Sequence, residues 1–180
     1  VPMRDGARLM ADVFLPEPGG PRWPVILHRT PYGLAAADAP HKLDHTRAWL
    51  PNPAEPMRGS ILRGWKNITA HGYAAVYQDC RGRYRSGGQF TKYLSEPADG
   101  ADTVAWLVRQ PWCDGRVATM GLSYAAHTQM GIGCLDPPGL AAQFLDCGGF
   151  SNAYRSGIRH GGAFDLKQAT WAYRNALADA

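Results

Sequence analysis

The sequence predicts an α/β fold with a mostly parallel sheet and helices on both faces, and three observations carry that prediction. β-prone runs alternate with runs of helical period along most of the chain. The densest β-prone run, WPVILHRT, suits burial on both faces, as parallel strands require. The junctions carry turn chemistry such as EPGGP and DPPG. With 180 residues, 45% apolar and 11% aromatic, the chain has material for one domain with a real core.

Taken in order, ARLMADVFLP (Ala7 to Pro16) alternates as a strand does, and Trp23 to Thr30 is the second strand. Leu34 to Pro56 is rich in Ala, Pro and His with weak periodicity, which predicts a long loop with at most one short helix. Ile61 to Gly72 reads as a helix and Tyr73 to Cys80 as a strand. RGRYRSGGQF is a glycine-rich loop, and Ala98 to Gln110 has apolar residues at helical spacing. Asp114-Gly115 is read as a turn into the short strand RVATMG, followed by a helix from Tyr124 to Cys134. DPPG ends that helix, and LAAQFLDC is one more strand. Beyond Cys147 the chain turns glycine-rich and aromatic, then helical, with no further strand expected; a boundary is placed near Ser151.

Nineteen Lys and Arg against fifteen Asp and Glu leave a net charge of +4, scattered along the chain, so a phosphate backbone is not an expected partner. The densest basic cluster, Arg81, Arg83 and Arg85, falls among glycines in a loop. No apolar run approaches the roughly 18 residues that cross a bilayer, and VPMRDGARL has no signal-peptide apolar core. The given chain is expected to be soluble, with a cytoplasmic setting favoured and the compartment otherwise unassigned. Cys80, Cys113, Cys134 and Cys147 form no CxxC pair; buried free thiols are expected ahead of a disulfide or a metal site.

The chemistry centres on RVATMGLSYAAHTQMG, Arg116 to Gly131. A strand, a glycine two residues before Ser123, then a helix of small residues is the setting of a nucleophile elbow, in which a tight turn lifts the serine hydroxyl clear of the sheet. There it lies close to the unpaired N–H groups of a helix N-terminus, and the Tyr124 N–H would point at a developing oxyanion. G-x-S by itself is a weak signal, and a serine at a strand-to-helix junction more often merely caps the helix.

Six segments then resemble, in order, the N-terminal half of the CocE/NonD serine hydrolase family, which includes cocaine esterases, α-amino acid ester hydrolases and Xaa-Pro dipeptidyl-peptidases. They are MRDGARLMADVFLP, PVILHRTPYG, GYAAVYQDCRGRYRSGGQF, DGADTVAWLVRQPWCDGRV, GLSYAAHTQ and GGAF. The resemblance implies an α/β-hydrolase fold. It implies cleavage of esters or amides of small acyl groups, or of short peptides, through an acyl-serine intermediate, with no cofactor and no metal. It makes Ser123 the nucleophile and pairs the Tyr32 hydroxyl with the Tyr124 backbone N–H as the oxyanion hole. Asp79, Arg81 and Gly82 match a DxRG segment whose physics reads as structural, with Asp79 accepting from backbone N–H groups and from Arg81. Trp112, Gly115 and Asp99 belong to the same pattern and read as packing, turn and cap.

Two departures qualify the resemblance. Ala126 stands where GxSYxG has its second glycine, which bears on helix spacing. The Asp and His that would activate Ser123 are expected beyond Ala180, after a helical cap that begins within 151–180, so residues 1–150 read as the N-terminal part of the catalytic domain and the 180 residues alone are expected to turn over poorly. Among residues in hand, His127 lies on the helix leaving the elbow, and His160 with Asp165 follows Ser123 in the right order; neither is preferred as the base. His41 and His45 have i, i+4 spacing but lack the glutamate of HExxH. Asn67-Ile68-Thr69 falls in a predicted helix and is set aside as a glycosylation site. A non-catalytic remnant, a dipeptidyl-peptidase and self-association of the full-length protein stay open.

Overall fold

A computed structural model describes residues 1–17, 20–33, 60–146, 159–160, 163–164, 166, 169–171 and 173. Strands β1 (Ala11–Phe14), β2 (Trp23–Thr30), β3 (Ala74–Asp79), β4 (Cys113–Leu122) and β5 (Leu140–Asp146) are separated by helices α1 (Ser60–Ala70), α2 (Glu96–Leu107) and α3 (Tyr124–Leu135). They form a five-stranded sheet in the order β1-β3-β2-β4-β5, in which only β1 runs antiparallel, to β3.

Alternation along the strands divides the core. Ala74 and Val76 of β3, with Val25 and Leu27 of β2, face α2 and α3 and pack with Val104, Leu107 and Ile132. Burying each of those three helical side chains stabilises the fold by about 1.5–3 kcal/mol. Ala75 and Tyr77 point the other way, against Trp65 and Ile68 of α1 and Phe14, whose ring stacks on Trp65 at 4.5 Å. Helices therefore cover both faces, as the alternation of strands and helices predicts.

From β2 the chain crosses to β3 on one side, whereas β4 leads to β5 on the other. The crevice at the C-terminal ends of β2 and β4 is thus a topological switch point, where open α/β sheets hold their ligands. Tyr32 follows β2 and Ser123 follows β4.

Several boundaries differ from expectation. The strand placed at Ala7 to Pro16 contributes only four residues to the ladder; ahead of it Leu9 is fully buried and Arg8 bridges Pro2. Helix α2 begins at Glu96, with Pro97 in its first turn where a missing N–H costs nothing. Asp114-Gly115 does not turn the chain. Cys113 pairs with Trp23 and Val117 with Val25, so two steps along β2 answer four along β4, and the Asp-Gly pair is absorbed as a bulge. Gly115 supplies the left-handed conformation there (φ +96°), and the Asp114 carboxylate accepts the Arg116 N–H at 2.9 Å.

After β5 a second, antiparallel pair does occur, β6 (Arg159–His160) with β7 (Ala163–Phe164), where no strand was expected. The sequence between them is Gly-Gly, a pair that two-residue hairpins favour and that the helical reading overlooked. Residues 166, 169–171 and 173 are helical. Cys80 and Cys113 are buried free thiols as expected, whereas Cys134, near the end of α3, is exposed. The Leu34 to Pro56 loop, His41, His45, Cys147, Asp165 and the boundary near Ser151 lie outside the described residues.

Candidate active site

The elbow forms where β4 meets α3. Gly121 has no room for a side chain: a Cβ there would overlap the Cβ of Ala125 on the first turn of the helix. Ser123 stands between them at φ 60°, ψ −115°, a conformation that non-glycine residues rarely adopt and that neighbouring structure must impose. Gln129 helps impose it, since its side-chain amide donates to the carbonyls of Gly121 (3.3 Å) and Ala125 (3.0 Å), joining the strand end to the helix start. Thr119 of β4 donates to the Gln129 Oε1 at 2.9 Å.

The Ser123 side chain is exposed and makes no capping hydrogen bond to α3, so the helix-cap reading does not describe it. Its backbone does the capping: the Ser123 carbonyl accepts from the N–H groups of Ala126 (3.0 Å) and His127 (3.3 Å). Tyr124 opens the helix, so its own N–H has no intrahelical acceptor.

Tyr32 reaches the same crevice. Leu27 of β2 lies opposite Thr119 of β4, and continuing that register sets Thr30 beside Leu122. Tyr32 is half-buried; its N–H donates to the Thr30 hydroxyl at 3.2 Å, and the carbonyl of Pro31 accepts from the buried Arg83 guanidinium at 3.0 Å. The indole N–H of Trp171 donates to the Tyr32 hydroxyl oxygen at 3.4 Å, while the Trp171 ring stacks on Tyr124 with centroids 5.7 Å apart. Through Trp171 the structure links Tyr32 to the residue next to Ser123.

An aromatic wall surrounds Tyr124. The Tyr93 ring lies 4.7 Å from it and also meets the His127 imidazole at 4.6 Å. Lys92 stands over the Trp171 ring at 4.0 Å and over the Tyr93 ring at 5.0 Å. Burial brings the Lys92 ammonium down to about 8. Burial likewise pushes the Tyr93 phenol up to about 12, with Tyr32 and Glu96 adding to the effect. His127 is half-buried and held below the ordinary histidine range by burial and by the Lys92 charge, so it packs sideways on Tyr93 as a neutral ring at neutral pH.

Beneath the wall lies a buried polar layer that the sequence did not announce. Arg29 and Gln78, neighbours across β2 and β3, face α2 rather than solvent. Arg29 donates to the Gln78 Oε1 (2.7 Å) and to the Glu96 carbonyl (3.0 Å), and its second terminal nitrogen pairs with the Glu96 carboxylate at 3.0 Å. The other carboxylate oxygen of Glu96 accepts from the Tyr124 hydroxyl at 3.0 Å. Burial, reinforced by the Glu96 charge, keeps the Tyr124 phenol and the Cys80 thiol protonated.

The DxRG segment is structural, with one partner exchanged. Arg81 binds Asp99 (2.9 and 2.5 Å) and Asp5 (2.7 and 3.2 Å) instead of Asp79. Asp79, completely buried, has Arg85 as a cationic neighbour at 3.8 Å. The reason is reach: Asp79 ends a strand with its side chain turned inward, whereas Arg81 has already left the sheet and meets the first turn of α2. Asp99 is accordingly a partner of Arg81 and not a helix cap; Ser95 holds the cap position. With Arg83 on Pro31 and Arg85 on Asp12 at 2.9 Å, the arginine cluster is spent on internal bonds. Among the described residues no group of three or more His, Cys, Asp or Glu is arranged to hold a metal, and no helix is long and apolar enough to cross a membrane.

Arg29, Tyr93, Glu96, Lys92 and Trp171 went unnoticed in the sequence. The one available signal was chemical: an Arg in the apolar run WPVILHRT and a Gln in AVYQD have to find partners if both faces are covered.

Known proteins show the same pattern. The profile of the X-Pro dipeptidyl-peptidase (S15) family matches residues 5–180. The chain is 39% identical over 129 residues to the cocaine esterase of Rhodococcus sp. (strain MB1 Bresler), covering 72% of this chain and 19% of that protein. It resembles the crystal structure of a CocE/NonD family hydrolase from Staphylococcus aureus with a TM-score of 0.72 at 25% identity, over 96% of this chain and 31% of that one. An α-amino acid ester hydrolase structure matches with a TM-score of 0.60 at 28% identity, over 79% of this chain and 23% of that one. The chain thus spans about a fifth to a third of the length of these relatives. An elbow at the end of β4, a tyrosine just past the end of the neighbouring strand β2 and a match running from residue 5 to residue 180 together establish that this chain belongs to the S15 and CocE/NonD family of α/β hydrolases.

Proposed function

We propose that this chain supplies the nucleophile and the oxyanion hole of a serine hydrolase that cleaves ester or amide bonds of small acyl substrates. The observation that carries the proposal is the Ser123 side chain, exposed on a strained backbone at the switch point and excused from capping the helix that follows.

In this reading the Ser123 Oγ attacks the substrate carbonyl carbon and gives its proton to a general base. The carbonyl π electrons move onto oxygen, and that oxyanion accepts hydrogen bonds from the Tyr32 hydroxyl and the Tyr124 N–H. A phenol suits the task because it donates one directional hydrogen bond without a permanent charge. Collapse of the tetrahedral intermediate expels the alcohol or amine, which takes up the proton, and water then releases the acyl group from Ser123 by the same sequence of steps. The Trp171 N–H donates to the Tyr32 oxygen and so bears on the orientation of that phenol. The base and its orienting carboxylate are assigned to a His and an Asp, respectively, from the family's C-terminal portion, in the Ser–acid–His order of α/β hydrolases.

The identity of 39% to an esterase favours ester substrates. The family description favours a second reading, release of dipeptides from Xaa-Pro peptides, which uses the same chemistry. The test treats the full-length protein with a fluorophosphonate probe and maps the adduct. Labelling at Ser123, with loss of esterase and of dipeptidyl-peptidase turnover in Ser123→Ala, is expected. Folded protein that stays unlabelled would instead indicate a hydrolase scaffold without catalysis.

A further inference from the structure

The Ser123 backbone is strained, and strain of this kind, of order 1–3 kcal/mol, persists only where the surroundings over-determine it. The adjoining residue is over-determined to an unusual degree. Both hydrogen-bonding capacities of the Tyr124 phenol are committed: its oxygen accepts the Tyr93 backbone N–H at 3.0 Å, and its O–H donates to Glu96 at 3.0 Å. Glu96 is itself gripped by Arg29, with side chains 2% and 1% exposed. Arg29 is fixed in turn by Gln78.

A buried ion pair is a weak device for stability, since the cost of removing two charges from water offsets most of their attraction, and apolar replacements of similar size are often as stable. What such a pair does well is fix direction. A carboxylate that cannot swing holds the phenol, the phenol holds its ring, and the ring holds the α-carbon, to which the nitrogen bearing the Tyr124 N–H is bonded. An oxyanion donor displaced by a few tenths of an ångström loses much of its effect, because the donor must lie 2.7–3.1 Å from where the negative charge develops.

Resting on the acyl-transfer reading of Ser123, we infer that Glu96, anchored by Arg29, is a positioning residue for the oxyanion hole and acts through the Tyr124 phenol. The substitution that isolates this is Tyr124→Phe, which keeps the ring and its stacking and deletes only the hydroxyl. It is made in the full-length protein, and rates are normalised to the sites titrated by a fluorophosphonate, so unfolded molecules do not count.

The expected result is a fall of threefold or more in kcat for a p-nitrophenyl ester with KM within twofold of wild type. It comes with an equal loss of affinity for a boronic acid, which mimics the tetrahedral intermediate on serine. Glu96→Gln, which still offers an oxygen to the phenol, should retain more normalised kcat than Glu96→Ala. A purely structural role would lower the melting temperature and leave normalised kcat and boronate affinity alone. A fall of less than threefold in either quantity for Tyr124→Phe, or one confined to KM, overturns the inference. Wild-type protein unlabelled at Ser123 overturns the acyl-transfer reading instead, so the two failures are told apart.

Discussion

The indole of Trp171 lies nearly parallel to the Tyr124 ring, 8° between planes, while its N–H is directed at the Tyr32 hydroxyl oxygen 3.4 Å away. One side chain from the C-terminal segment thus touches both residues assigned to the oxyanion hole. Trp171→Phe keeps most of the stacking and removes the donor. Because a neutral hydrogen bond contributes about 1 kcal/mol net, kcat/KM should fall roughly fivefold. Tyr32→Phe removes the donor proposed for the oxyanion hole, and a loss of about 2.7–4 kcal/mol, or 10²–10³ in kcat, is expected. Steady-state kinetics on a phenyl ester measure both, and equal losses in the two variants would contradict the ordering.

Lys92 makes stability depend on pH in a definable window. Its folded value of about 8 lies below the ordinary 10.5, so between these pH values the unfolded chain binds more protons and stability must rise with pH. Below about 8 both states are protonated and the increment is absent. Tyr93 acts in the opposite sense from its ordinary 10 up to about 12, as do the buried Cys80 and Cys113 thiols from their ordinary 9, so the Lys92 contribution is read between pH 8 and 10 as a difference from a Lys92→Met variant that shares those groups. Urea midpoints across that interval should climb in wild type relative to Lys92→Met, and parallel curves would show that Lys92 is not desolvated.

Gly100 lets α2 approach α3 closely. A Cβ there would overlap the Ile132 side chain of α3 and crowd the Arg29 guanidinium. Gly100→Ala improves helix propensity but overpacks the contact, and the second effect, typically about 1–3 kcal/mol, should prevail over the ~1 kcal/mol that Ala gains in an open helix. A lower denaturant midpoint is the expected outcome; a higher one would mean that α2 shifts freely.

Strand β5 has a partner on one side only among the described residues, and Phe144 on it is 56% exposed. Exposed apolar edges template association. The 180-residue polypeptide expressed alone should self-associate in sedimentation runs, and Phe144→Lys should shift it toward monomer. A compact monomer without the substitution would argue against edge pairing.

Local chemistry was legible from the sequence alone. Trp23–Thr30 is a strand because β-branched and apolar residues fill it, and the glycine at 121, the serine at 123 and the small residues after it fix a strand–turn–helix elbow within a few residues. Those patterns, with the family resemblance, were enough to anticipate the parallel sheet and to single out Ser123, Tyr32 and Tyr124. The bulge at Asp114-Gly115 was missed because an Asp-Gly pair looks alike in a turn and in a strand, and only the pairing with β2 distinguishes them. Partner choice belonged wholly to the tertiary structure. Arg29 meets Glu96 across 67 residues and Trp171 meets Tyr32 across 139, separations at which no periodicity carries information. A strand's pattern says which face a side chain takes, but which residue waits on that face depends on strand order, and strand order is set by how the whole core closes.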